Sequence, residues 1–429
     1  MNTEHKIAIS EDLEKLAQKL KNKAELFVVG GYVRNSLLGI GDTDVDLCSK
    51  LTPDELKTYL KGSGYTVKDK NKKLGTVTIS INDEVYEHTT FRSEEYDDSG
   101  RHTPVSICFV DDIRQDAKRR DFTVNCIYYS ITKKKLIDIY SGLYDLKKKR
   151  LKTIETPEFV FSKDGLRILR MIRIASELNF SIESETYKCA KGMSYRLKDI
   201  TGTRKQKELI LILNASHKYS ISKKKAHVRA LGYFNKMHLW GSFYSTVSTI
   251  KLSMIKKMNV DLMSALLIDM VEAINPDCVE YYLKYMLGEK GLNFTAKQQA
   301  YLINVVSGYF DAQNRLNNKK YFFKYFDNFQ EIGKFIAAKN IFLFNKYNFF
   351  YKYIVNYHIP ITIRDLDVNG DDIKKYKPKM PQKYYNGLLK ELLSKVFEGE
   401  IQNTREQLIA EIKNYEYKPV TTKKSKCDK

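Results

Sequence analysis

The sequence predicts an α+β protein: a small head with a mixed sheet and helices, followed by an all-helical remainder. Three observations predict it. Strand-like and helix-like segments alternate up to about residue 140. From about Phe159 onward apolar residues recur instead at helical spacing, as in FSKDGLRILRMIRIASELNF. The 429 residues exceed one ordinary domain, and a hydrophobic content of 43% is enough to build several cores.

The elements follow in order. FVVGG reads as a buried strand entering a glycine turn, and YVRNSLLG as a short helix. VDLCS is a second strand. TPDELKTYLKG is a helix, with Thr52 at its N-cap and Pro53 in the first helical position. YTVKD, TVTISI and EVYEHTTF are further strands, rich in β-branched residues and parted by NKK and Asn-Asp turns. DIYSGLYDL supplies a turn at Gly142 before a helix and reads as a connector. No repeat of fixed period is present, and the terminal TTKKSKCDK reads as a frayed basic tail.

Lys and Arg total 73 against 52 Asp and Glu, a formal net charge of +21. That surplus suits a polyanionic partner, although a Lys-rich soluble protein would show the same bias. The six cysteines (Cys48, Cys108, Cys126, Cys189, Cys278, Cys427) form no CxxC pair, which argues against a zinc site or a disulfide framework. The first twenty residues are charged throughout, unlike a signal peptide, and no apolar run nears the roughly 18–20 residues that span a bilayer. A cytoplasmic protein with no membrane segment is expected.

Candidate chemistry begins at Gly30-Gly31, between a strand and a helix, with Arg34 three residues on. Such a turn lets backbone approach a phosphate, although most Gly-Gly pairs are simple turns. Asp44 and Asp46 stand at i and i+2 on an expected strand, so their carboxylates share a face at roughly 6.5–7 Å between Cα atoms. Paired carboxylates of this kind can hold two Mg²⁺ ions for in-line attack on an α-phosphate. Glu87 is a candidate third catalytic carboxylate whose direction the alternation leaves open, and His88 reads as structural. RRDFTVNCIYY concentrates Arg120, Asp121 and Asn125, which suit triphosphate oxygens and ribose hydroxyls but also a capped helix start. No histidines cluster with aspartates at metal-ligand spacing.

GGYVRN with DTDVDL, then RRDFTVN, DIYSGLYDL and KDGLRILR, in this order and spacing, resemble the class II tRNA nucleotidyltransferase and bacterial poly(A) polymerase family. The resemblance extends to about residue 215. It implies a polymerase-beta-like head, a need for Mg²⁺, and template-independent transfer of nucleotides to an RNA 3′ end. Carried over, Gly30, Gly31 and Arg34 hold the triphosphate, while Asp44 and Asp46 bind metal. Arg120, Asp121 and Asn125 contact ribose and phosphates. Asp164 and Arg167 pair with the Watson–Crick edge of CTP or ATP, and Arg170, one turn on, reaches a phosphate. It also implies a catalytic head over 1–150, a base-selecting neck over 151–215, and a tRNA-binding body (216–360) and tail (361–429). The chain departs from the family at Asn35, usually Asp, and at Lys163, usually Glu.

The polar stretch from Phe91 to Ser106, with Arg101, His102 and Pro104, resembles the flexible loop of enzymes that add all three nucleotides, C, C and A. The segments ITIRDLDVNGDDI and NGLLKELLSKVFEGEIQNTREQLIAEI, the latter ending in a short N-capped helix, resemble the tail of Gram-positive-type CCA-adding enzymes. CCA addition to tRNA from CTP and ATP is therefore expected, with no protein partner implied. A poly(A) polymerase, a partial enzyme adding only the Cs or the A, a non-catalytic RNA-binding protein and a small-molecule nucleotidyltransferase, which would not need the templating pair or a long basic helical body, are the alternatives. Lys223–Lys225, Lys256–Lys257 and Lys319–Lys320 are candidate phosphate contacts, or solvated faces.

Overall fold

The computed structural model describes residues 7–40, 44–96, 104–219, 221–222, 225–244, 247–257, 260–274, 279–316 and 319–416. Its described part divides into two units. One holds Met1–Lys256, Glu272–Ile274 and Tyr282–Thr295; the other holds Lys257–Val271, Asn275–Tyr281 and Ala296–Lys429.

The first unit opens with helix α1 (Glu11–Leu20), capped by the Ser10 hydroxyl on the Leu13 amide. Its Leu13, Leu16, Ala17 and Leu20 form a buried stripe at i, i+3, i+4 and i+7 among charged neighbours. This helix was not expected, because the charge masked the stripe. Strand β1 (Phe27–Val29) leads through Gly30 into α2 (Gly31–Leu38). Next come β2 (Asp46–Ser49) and α3 (Pro53–Tyr59), where Thr52 and Glu55 close the expected N-terminus as a capping box. Strands β3 (Thr66–Asn71), β4 (Thr76–Ile81) and β5 (Glu84–Thr90) follow.

The stretch expected as a loop from Phe91 to Ser106 is anchored by a second, two-stranded sheet. Strand β6 (Arg92–Glu95) pairs antiparallel with β7 (Ser106–Phe109), from Arg92 opposite Phe109 to Glu95 opposite Ser106. Arg101 and His102 lie outside the described residues. Helix α4 (Ile113–Lys118), strands β8 (Ile127–Ser130) and β9 (Lys135–Asp138) and helix α5 (Gly142–Lys147) complete the head. Strand β8 is buried along its whole length, so it lacks the alternation that marks a half-exposed strand. The main sheet runs β3-β4-β5-β2-β1-β8-β9, antiparallel throughout except where β2 and β5 run parallel.

Strand β10 (Arg150–Leu151) leads to α6 (Pro157–Lys163) and α7 (Leu166–Glu177). The sequence suggested one continuous helical run here. The chain instead breaks at Asp164, whose backbone is extended and whose Oδ1 accepts the Leu166 amide at 3.0 Å. Strand β11 (Ser181–Ile182) pairs parallel with β10, and α8 (Ser184–Gly192), α9 (Gly202–Leu213) and α10 (Ala226–Met237) follow. Helices α9 and α10 both pack on α7.

Helices α11 (Leu262–Ile274), α12 (Val279–Leu287), α13 (Ala296–Arg315), α14 (Lys319–Tyr325), α15 (Phe329–Lys339) and α16 (Ile341–Asn356) come next. The chain ends in α17 (Gly370–Tyr376), α18 (Tyr385–Glu398) and α19 (Arg405–Asn414). Within the second unit, Phe329 stacks on Tyr347 with ring centroids 3.8 Å apart. A separate leucine-rich core joins α17, α18 and α19 through Ile373, Leu388, Leu392, Leu408 and Ile412. Thr404 occupies the N-cap of α19 without its side chain bonding the helix.

Candidate active site

The head brings its carboxylates together through register. In the sheet, Val29 at the end of β1 faces Asp46, and Asp46 in turn faces Glu87 across the parallel β2–β5 ladder. Registered partners point to one face, which resolves the direction of Glu87 that alternation left open. Asp44, expected on the strand with Asp46, stands before it; β2 begins at Asp46. Gly30 turns the chain beside these groups with φ of +84°, a conformation that favours glycine, and a Cβ there would lie 3.5 Å from Asp46 Oδ2. Burial, then the charges of Glu87 and Asp44, push the Asp46 carboxyl up to about 6, although its outer edge stays exposed. Lys70 on β3 forms an ion pair with Glu87.

Beside Asp46 opens a cavity of about 380 Å³. Gly30, Gly31, Asp46, Arg120, Asp121, Asn125, Asp164, Arg167 and Arg170 line it, nine of the twelve residues singled out in the sequence. Arg92, Glu94, Arg119, Leu166 and Arg204 complete the wall, so six arginines face four carboxylates. Asp116, wholly buried behind this wall, fixes two of the arginines. Its Oδ1 accepts from Arg119 Nε at 2.8 Å and its Oδ2 from Arg120 Nη2 at 3.0 Å, and Tyr128 donates to the same oxygen. Burial works to raise the Asp116 carboxyl, but Arg120 and Arg119 hold it at about 2. Asp121 likewise resists the upward push of burial: Arg170 and Arg167 bring it to about 2. Arg170 donates to its Oδ2 through Nε and Nη2 at 2.9 and 2.7 Å.

The break between α6 and α7 places Asp164 and Arg167 on the same cavity. Asp164 Oδ2 accepts from Arg204 Nη2 at 2.6 Å. Arg167 donates to the Val160 carbonyl at 3.3 Å and to the Arg119 carbonyl at 2.7 Å. Those carbonyls orient the Arg167 guanidinium. Lys163 sets its Nζ 3.8 Å from the centroid of the Phe159 ring.

Three of the singled-out residues do not line the cavity: Arg34, Asp44 and Glu87. Arg34 is buried behind it, donating to Asn35 Oδ1 from Nε and Nη2, to Asn125 Oδ1 from Nη1 at 2.6 Å, and to the Tyr219 hydroxyl. Its placement is that of a group positioning Asn125 rather than one touching a triphosphate. Among the described residues no three His, Cys, Asp or Glu side chains converge closely enough to hold a metal ion. His88 is buried against Ser49 and pushed by desolvation down to about 3, so it is neutral at working pH and structural, as expected. Arg204 and Asp116 had no local signal in the sequence: only the packing of α9 on α7 and the turn before Arg119 bring them here.

Comparison with known proteins agrees with this geometry. Residues 26–152 match a family model described as the poly A polymerase head domain. The chain is 34% identical over 223 residues to CCA-adding enzymes of Staphylococcus aureus strains MRSA252 and Newman, a match covering 52% of this chain and 53% of each relative. It thus spans about half the length of the curated relatives it matches. Among solved structures, the Bacillus stearothermophilus CCA-adding enzyme in complex with CTP aligns with a TM-score of 0.59 at 21% identity, over 96% of this chain and 97% of that one. The Thermotoga maritima CCA-adding enzyme complexed with tRNA aligns with a TM-score of 0.55 at 18% identity, over 95% and 96%. Residues 26–152 thus resemble a poly A polymerase head domain, and the chain has the fold of those CCA-adding enzymes.

Proposed function

We propose that this chain is a CCA-adding nucleotidyltransferase, extending tRNA 3′ ends with C, C and A from CTP and ATP and releasing pyrophosphate. The observation that supports this reading is one cavity shared by a catalytic carboxylate of the sheet, Asp46, and a base-reading pair from the helices, Asp164 and Arg167. In this reading the head (1–150) performs transfer, the neck (151–215) selects the base, and the body (216–360) and tail (361–429) bind tRNA.

The carboxylates fit a divalent cation. Asp46 is raised to about 6 partly because Glu87 and Asp44 crowd it with like charge, and a cation held by Asp44 and Asp46 relieves that. An all-oxygen donor set suits Mg²⁺, which when bound activates the primer 3′ hydroxyl and neutralises charge on the triphosphate. The Gly30-Gly31 backbone admits the phosphates closely, and Arg119 and Arg120, fixed by Asp116, supply positive potential beside them. Asp121 and Asn125 contact ribose and phosphates in this reading. Asp164 accepts from the exocyclic amine of cytosine or adenine, and Arg167 donates to ring acceptors. A uracil or guanine edge leaves those groups unpaired, at about 1–3 kcal/mol each.

No helix among the described residues is long and apolar enough to cross a membrane. Cys48, Cys108, Cys126 and Cys189 are free thiols, which fits a reducing, cytoplasmic setting.

Extension assays test the reading, using Mg²⁺ and tRNA transcripts lacking CCA, ending in C or ending in CC, with CTP, ATP or both. Addition of C, C and A followed by a stop is expected. Because the head model is named for poly(A) polymerases, ATP-only extension is the second reading, and a long ladder with ATP alone would establish it.

A further inference from the structure

A second cavity, about 200 Å³, lies in the first unit and shares no lining residue with the one described above. Its wall holds Lys198, Lys205 and Lys290 together with Phe243, Tyr244 and Tyr285. Among its described lining residues there is no carboxylate.

Lys205 is the telling residue. It is only 9% exposed, and its Nζ donates to the Ser242 carbonyl at 2.8 Å and lies 5.8 Å from the centroid of the Phe243 ring. An ammonium has three donors, and one carbonyl and a ring face take up only part of that capacity. Burial accordingly lowers the Lys205 pKa, with Asp199 opposing the shift. A buried cation is costly unless an anion joins it. Lys198 and Lys290 stand exposed at the mouth, where two more positive charges reinforce the demand.

The site is rigidly framed. A Cβ on Gly202 would collide with the Gly291 carbonyl, so the loop carrying Lys290 sits directly on the first turn of α9. Tyr244 and Tyr285 meet edge to face at 5.5 Å, and Tyr285 keeps 46% of its surface exposed, leaving a ring open to stacking. The two cavities also share an element. Arg204 lines the first and Lys205 the second, consecutive residues that a helix turns about 100° apart.

We propose that this cavity holds a phosphodiester group of the RNA strand, with a neighbouring base on Tyr285, while the 3′ end of that strand occupies the catalytic cavity. The inference rests on the reading of the substrate as RNA. Phosphate chemistry is shared by RNA and by free nucleotides, and the two sources separate experimentally.

The test is fluorescence anisotropy with the full chain and tRNA lacking CCA, comparing wild type with Lys198→Gln/Lys290→Gln and with Tyr285→Ala. These side chains are exposed, so folding is preserved. The double variant should bind RNA about five- to tenfold more weakly at low salt, with the slope of log Kd against log salt reduced by about 1. Tyr285→Ala should weaken binding without changing that slope. KM for CTP and ATP, and kcat at saturating RNA, should stay at wild-type values. Unchanged RNA affinity would overturn the proposal, as would a rise in nucleotide KM with RNA binding intact. Binding is read without turnover: a wild type that binds RNA through these residues yet extends nothing would sink the CCA-adding reading and leave this one standing.

Discussion

Asp46 and Asp121 line one cavity, and their surroundings drive their carboxyls in opposite directions, to about 6 and about 2. For Asp46 the ionised form is disfavoured in the folded chain. The resulting penalty is absent below its unfolded value of 3.8 and complete above about 6. Asp46→Asn should therefore raise metal-free stability at pH 7.5, by on the order of 1 kcal/mol after solvent screening, with the gain vanishing as pH falls to about 4. Thermal melts across pH check the sign. Adding Mg²⁺ should raise the wild-type midpoint and leave the variant unmoved. Asn35 offers a second residue-scale test. Its Oδ1 accepts twice from Arg34, while its buried Nδ2 has no partner among the described residues. Asn35→Asp would remove that orphan and charge-assist both bonds, gaining about 1 kcal/mol in denaturant unfolding. Nine of the residues lining this cavity were legible because they fall in the motifs quoted from the sequence. Asp116 and Arg204 were not, since their roles come from what packs beside them.

At the scale of elements, local chemistry was readable wherever a single residue type compels it. Thr52 and Pro53 start α3, and Gly142 opens α5, where any Cβ would strike the Thr123 carbonyl. Gly142→Ala should cost roughly 2–3 kcal/mol, measured by urea unfolding, because backbone must yield rather than a flexible side chain. The break before α7 was hidden, since KDGLR continues the helical period while Asp164 turns its carboxylate to cap the next helix. At that break Lys163 rests on the Phe159 ring, within reach of the Arg167 charge. Lys163→Glu adds an acceptor near Arg167. Misincorporation of UTP relative to CTP should fall up to about tenfold in single-nucleotide extension, the worth of one added charge-assisted bond. Strand β8 escaped notice for the opposite reason: buried on both faces, it has no period to read.

At the scale of the molecule, the division into two units had no compositional marker, because each is assembled from separated stretches. The second unit takes Lys257–Val271 and Asn275–Tyr281 before its main run begins at Ala296. Hydrophobic content foretold several cores, but not which stretches would share one.

The clasp between Asp121 and Arg170 has a further consequence. It ties a loop of the head to α7, 49 residues away; Arg167 bonding the Arg119 carbonyl ties α7 to the head again, and Arg34 bonding Tyr219 ties α2 to the segment after α9. These ties cross from sheet to helices, so neither half can melt while the other stays whole. In the full chain, hydrogen exchange of β1, β8 and α7 should then report one common opening free energy, and Asp121→Ala should separate the sheet from the helix. The sheet side of the cavity and its helical side would share a single cooperative lattice, with no hinge between them to set out of step.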